Sequence, residues 1–290
     1  MRQNCSVAEL LRSEMDKLTP TERKISRVLL ANYPVAGLET IAQLAARVEV
    51  SGPTVLRLVS KLGFDSYTAF QAALRGELEA RLQSPLVRRE VGMAAEGTDF
   101  LADFVRRQTE LMQQTVANVS QAEFDGAVEL LADPKRRVWL LGGRLTEPLA
   151  AYLAHHLKVV RSQVTLLRPL PTSWADNLVD MGKHDVLVVF DIRRYWQDAQ
   201  RMAEMAAQRK VQVVLFTDQW LSPVSRCARY TLAAHTAGPA GWDTNTPLLM
   251  LVDALIAAVN TRHWGDIHER LHELERMRAE LGEGDESMRR

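Results

Sequence analysis

Thr54, Arg57, Ser60 and Lys61 are spaced to share one side of a helix: two hydroxyls and two cations, with no carboxylate among them. Such a face suits nucleic acid, because a guanidinium forks onto guanine or a phosphate while hydroxyl and ammonium groups hold the backbone. The element that must carry them begins at Ser51, placed to cap the first free N–H groups. Gly52 and Pro53 follow, the proline in the first turn, where its missing N–H costs nothing. Val55, Leu58, Val59 and Leu62 recur at i, i+3, i+4 and i+7 and form the buried stripe, which leaves the four polar residues outside.

A second short amphipathic helix precedes this one, with Ile41, Leu44, Ala45 and Val48 as its stripe and Thr40 with Gln43 as a capping box. Joined through Glu49-Val50, the pair reads as a helix-turn-helix, whose second helix enters the major groove. Helix pairs of this size also occur in bundles that never meet nucleic acid, so the flanks matter. Leu18-Thr19-Pro20-Thr21-Glu22-Arg23-Lys24-Ile25 leads in, and Leu62-Gly63-Phe64-Asp65-Ser66-Tyr67-Thr68-Ala69-Phe70 leads out. From Leu18 to Leu74 the chain resembles the RpiR family of bacterial transcriptional regulators. It departs at Glu49, where the family usually has glycine. If that turn needs positive φ, glutamate there is strained by about 1–2 kcal/mol. The residues expected at DNA are Thr40, Ser51, Gly52, Pro53, Thr54, Arg57, Ser60 and Lys61.

At 290 residues and 47% hydrophobic, the chain is long enough for two domains with their own cores. Its formal net charge is zero, so attraction to DNA must come from local clusters: Arg23, Lys24 and Arg27 on one helix, Arg57 and Lys61 on another. Cys5 and Cys227 are too few and too far apart for a disulfide framework and fit a reducing compartment. No metal is expected, on the reading that the chain holds no CxxC or HxxxH pattern and that the adjacent His155-His156 cannot share one helical face; one should be packed, the other solvated. No signal peptide and no apolar run of membrane length is evident, so a soluble cytoplasmic protein is expected.

The remaining periodicity predicts helices over 98–119 and 120–133, the second with Ser120 and Glu123 as a capping box. Apolar runs at 138–141, 164–167, 186–190, 211–217 and 230–233 then alternate with helices. Continuous apolar runs mean strands buried on both faces, hence a parallel sheet. An apolar helix over 246–261 should be buried or at an interface, and a charged peripheral helix runs from Trp264 to Leu281. The expected architecture is an all-α helix-turn-helix domain over 1–84, a linker over 85–97, a flavodoxin-like α/β domain with a five-stranded parallel sheet over 98–282, and a disordered tail over 283–290.

Ligands of such sheets bind beyond the carboxyl ends of the strands. There the chain places Gly142-Gly143-Arg144-Leu145-Thr146, Asp191-Ile192-Arg193-Arg194-Tyr195, Thr217-Asp218-Gln219-Trp220 and His235-Thr236. The two glycines admit a close ligand, and the following helix offers free N–H groups to an anion. The dinucleotide fingerprint fails, with Glu147 at its last glycine position and Arg168, not an acid, after the second strand; no cofactor is expected. This half resembles the sugar isomerase (SIS) domain that completes the RpiR family. The family's phosphosugar binders carry a Ser-x-Ser-Gly loop after the third strand; here Asp191, Arg193, Arg194 and Tyr195 stand there, and only Thr146 offers a hydroxyl after the first. The resemblance implies a DNA-binding regulator; symmetric half-sites call for a homodimer or homotetramer, and Arg193 and Arg194 in place of the hydroxyl loop suit a small anionic metabolite. The effector residues would be Gly142, Gly143, Arg144, Thr146, Asp191, Arg193, Arg194, Tyr195 and His235. The alternative is a sugar-phosphate isomerase with an accessory helical domain, using Glu147 or His235 as base.

Overall fold

The computed structural model describes residues 6–82, 99–168, 170–238 and 241–281. The expected linker over 85–97 and tail over 283–290 lie outside the described residues. The first unit is helical: α1 (Val7–Ser13), α2 (Pro20–Ala31), α3 (Ile41–Val48), α4 (Gly52–Lys61) and α5 (Tyr67–Leu82). Reciprocal capping boxes start α1, α2 and α3, through Ser6 and Glu9, Thr19 and Glu22, and Thr40 and Gln43. Leu11, Ile25, Leu44, Leu58, Phe70 and Leu74, each buried, fill the space between them.

Two expectations for α4 are corrected. Ser51 makes no side-chain cap; its hydroxyl lies 2.8 Å from that of Thr54. Thr54 is buried, not outside, because the first turn of α4 faces inward beside Val55.

The second unit contains α6 (Phe100–Asn118), α7 (Gln121–Ala132), β1 (Arg137–Gly142), α8 (Glu147–Val160), β2 (Val164–Leu166), α9 (Trp174–Asp180), β3 (Asp185–Asp191), α10 (Gln197–Gln208), β4 (Gln212–Asp218), β5 (Tyr230–Ala234), α11 (Thr246–Arg262) and α12 (Trp264–Glu280). Its five strands are all parallel in the order β2-β1-β3-β4-β5. Alternate residues of the strands feed two cores. Val138, Leu140, Val188, Phe190, Val214 and Phe216 pack under α7, α8 and α11. Trp139, Leu141, Leu187, Val189, Val213 and Leu215 pack under α9 and α10. The result is the expected three-layer sandwich. α11 buries Leu248, Leu251, Val252, Leu255 and Val259 as one stripe.

Two smaller expectations fail. Glu123 does not return to cap Ser120; its carboxylate turns to Arg12 of α1, 3.7 Å away. His155 and His156 are both exposed, since Leu153, Ala154 and Leu157 take the inner face of α8. Among the described residues, no helix is long and apolar enough to cross a membrane.

Candidate nucleic-acid interface and effector site

α3 and α4 pack through Leu44, Ala45 and Val48 against Val55, Leu58 and Val59. The turn between them rests on Glu49, in the left-handed region at φ 57° and ψ 49°. The sequence departure at this position therefore falls on a residue that does need positive φ. Pro53, Leu56, Arg57, Ser60 and Lys61 stand exposed on α4, Thr40 is exposed at the start of α3, and Gly52 is half-buried. The inward hydroxyl of Thr54 accepts a hydrogen bond from Arg57 Nη2 at 3.1 Å, so it aims the guanidinium that α4 presents.

Lys61 is not bare. Its Nζ lies 2.7 Å from Glu22 Oε2, on the carboxylate that also caps α2. Burial pushes the Glu22 carboxyl up, but the bonds from Lys61 and Thr19 hold it below the ordinary range. Lys24 pairs with Glu49 at 3.3 Å, and Arg27 is exposed. Leu56, exposed among these polar groups, is not among the expected contacts.

The residues expected at an effector gather at one edge, because the strand register sets Gly142 beside Phe190, Asp191 beside Thr217 and Asp218 beside Ala234. Gly142 is required by the fold itself: a Cβ there would lie 2.6 Å from the Glu147 backbone, at the start of α8. Thr146 ties β1 to β3, its hydroxyl donating to Phe190 O at 2.8 Å and accepting from Gly143 N at 2.9 Å. Arg144 and Arg194 are exposed, Arg194 with φ 57°.

Arg193 is buried. It meets Asp243 at 2.9 Å, lies over the Trp220 ring at 4.2 Å, and donates to the carbonyl of Ala80 in the last turn of α5. Tyr195 donates to Asp218 at 2.6 Å, while Arg81 of α5 covers its ring at 4.2 Å. His235 Nε2 lies 2.8 Å from Glu9 of α1, and Ser6 donates to the Gln219 carbonyl at 3.0 Å. Leu221, beyond β4, is part of the helical unit's own core. The carboxyl edge of the sheet is thus roofed by the helix-turn-helix unit of the same chain.

Two acids under that roof, Asp191 and Asp218, are protonated more easily than in water. Burial pushes Asp191 up to about 6, against bonds from Ser222 and the Trp196 N–H. Asp218, fully buried, is raised by the same cause although it accepts from Tyr195 and from the N–H groups of Arg193 and Trp220. Beside this cluster, Gln108 Nε2 and Thr236 Oγ1 are buried without a hydrogen-bond partner. Glu9, Arg81 and Asp243 lie outside the expected site, and Asp218 was expected only as part of its loop, not as an effector residue. Their only sequence signals were local, as a capping residue or a charge in a helix or loop.

Residues 5–81 match the rpiR-family helix-turn-helix domain, and residues 130–258 match the SIS domain. The HTH-type transcriptional regulator HexR of Escherichia coli strain K12 is 21% identical over 276 residues, covering 92% of each chain. HexR of Pseudomonas aeruginosa is 24% identical over 288 residues, covering 93% of this chain and 94% of its own. The bifunctional protein glk of Burkholderia orbicola is 25% identical over 233 residues, and the match takes in 80% of this chain but only 35% of that relative. Among solved structures, the sugar isomerase domain of the RpiR transcription factor from Sphaerobacter thermophilus superimposes with a TM-score of 0.58 at 22% identity, over 62% of this chain and 99% of that one. The Vibrio vulnificus NanR protein complexed with ManNAc-6P gives 0.54 at 19% identity, over 93% of this chain and 97% of that one. At such identities the likeness speaks for the fold, and it is the two domain matches, in the order the fold shows, that place this chain in the RpiR family, a helix-turn-helix domain followed by a SIS domain.

Proposed function

We propose that this protein is a DNA-binding transcriptional regulator whose SIS domain senses a small anionic metabolite, a sugar phosphate or an organic acid. One observation carries the reading: α4 buries its apolar stripe in the helical unit yet leaves Leu56, Arg57, Ser60 and Lys61 uncovered on a single face. A helix that served only to pack would not spend a buried threonine on aiming an outward arginine. The HexR relatives, matched along nearly their whole length, support the same reading.

The effector enters at the carboxyl edge, where Arg144 and Arg194 supply the exposed cations. Gly142, Gly143, Thr146, Asp191, Arg193, Tyr195 and His235 complete its walls, several of them also holding the helical unit. Binding there changes the contacts of Arg193 and His235, and so the seating of the DNA-binding domain. The isomerase alternative is less favoured, because His235 Nε2 is taken up by Glu9 of α1 and is not presented to a substrate. The regulator works in the cytoplasm as a homodimer, joined through the exposed Leu101, Val105 and Val116 of α6 and through α11. Gel-shift titration of the DNA upstream of the protein's own gene tests the proposal. Specific binding that Arg57→Ala weakens is expected; binding no tighter than to unrelated DNA would refute it.

A further inference from the structure

The outer face of α12 carries chemistry that neither DNA binding nor effector binding uses. His268 and His272 stand one helical turn apart in an HxxxH spacing typical of metal ligands, so the expectation that the chain holds no such pattern is corrected. Both side chains are exposed, and their Nε2 atoms converge to 3.0 Å, with ring centroids 4.3 Å apart. One of these nitrogens must donate and the other accept, so the pair shares a single proton. A divalent transition metal can take both Nε2 atoms once that proton has moved to Nδ1 of its own ring, which leaves each imidazole neutral. Zinc–imidazole bonds of about 2.0–2.1 Å at a tetrahedral angle set the two nitrogens about 3.3 Å apart, so the rings need to open by only about 0.3 Å.

Two neighbours make the pair more than a chance meeting of surface histidines. Trp264 packs edge-on against His268, with centroids 5.7 Å apart, and restrains that ring. Glu275 lies one turn beyond His272 on the same face and, among the described residues, pairs with Arg278 alone, at 2.9 Å on the exposed surface. Exposed pairs of this kind contribute little, so its carboxylate is free to turn towards an ion.

We propose that His268 and His272 chelate a divalent transition metal ion through Nε2, with Glu275 swinging in as third ligand and water filling the remaining positions. Among the described residues no three ligands already converge, so the third arrives with the metal. Glu269 completes the letters HExxH, shared with zinc hydrolases. It lies on a helix whose outer face is open to solvent, and the site is therefore proposed to bind a metal, not to hydrolyse a substrate.

The test uses the full chain without a polyhistidine tag, titrated with Ni²⁺ and with Zn²⁺ by calorimetry and by tryptophan fluorescence. One ion per chain should bind in the micromolar range, more tightly for Ni²⁺ than for Co²⁺. Binding should weaken in acid, where protons compete for the imidazoles, and Ni²⁺ should quench a component of the fluorescence that Trp264→Phe removes. His268→Ala or His272→Ala should each cost about tenfold or more in affinity, and Glu275→Gln less, with the helical circular dichroism unchanged. A site that survives in His268→Ala/His272→Ala, or no binding short of millimolar metal, would overturn the proposal.

Discussion

A hydroxyl in the first turn of a helix either faces solvent or braces its neighbours, and Thr54 does the second. Helical spacing alone put it on the outer face, but α4 is seated so that this turn dips inward, and the hydroxyl supports Arg57 from below. Arg57→Ala should therefore weaken specific DNA binding by about 1–3 kcal/mol without changing the melting temperature, as read by titration and thermal denaturation. Lys61 already spends charge on Glu22, so Lys61→Ala should cost less and act mainly on the salt slope. Glu49 belongs to the same scale. The motif pointed to a glycine position, the structure puts that residue at φ 57°, and Glu49→Gly should raise stability by about 0.5–1 kcal/mol in urea denaturation. Unchanged or lower stability would mean that the Lys24 pair outweighs the strain.

At the scale of elements, what could be read from the chain was local: the capping box of α3, the stripes of α3 and α4, and five apolar runs whose lengths match the strands to within a residue or two. What could not be read was the pairing of distant surfaces. Ser6 and Gln219 are 213 positions apart, and nothing in the periodicity of α1 or β4 says that they meet. Glu77 of α5 shows the same limit, receiving bonds from Val7 N at 2.7 Å and from the Tyr33 hydroxyl. Burial pushes its carboxyl up to about 7, despite those bonds, as it pushes Asp191 up to about 6. Both folded values lie above those of the unfolded chain, so the folded state holds the extra protons. Stability from these groups is thus fully present below their unfolded values and is lost as pH rises through about 6 and about 7. The melting temperature should fall between pH 5 and pH 8, and Glu77→Gln should flatten that fall. An equal slope in the variant would show that Glu77 does not titrate as its burial implies.

For the whole molecule, the main consequence is that one edge of the sheet serves two tenants. The loops proposed to receive the effector also seat α1 and α5, through His235 and Glu9, Arg193 and Ala80, and Tyr195 and Arg81. Arg193→Ala should loosen that seat, seen as faster hydrogen exchange in α5 while the strands stay protected; equal exchange in α5 would count against the seam as a coupling element. All of this matters for regulation only if the chain recognises a DNA sequence. Selection of the purified full chain against a random duplex library at physiological salt tests that most directly. The account predicts enrichment of an inverted repeat, its half-sites about one helical turn apart, and loss of that enrichment in Arg57→Ala. A pool that remains random after repeated rounds, or the same motif enriched equally by Arg57→Ala, would contradict it.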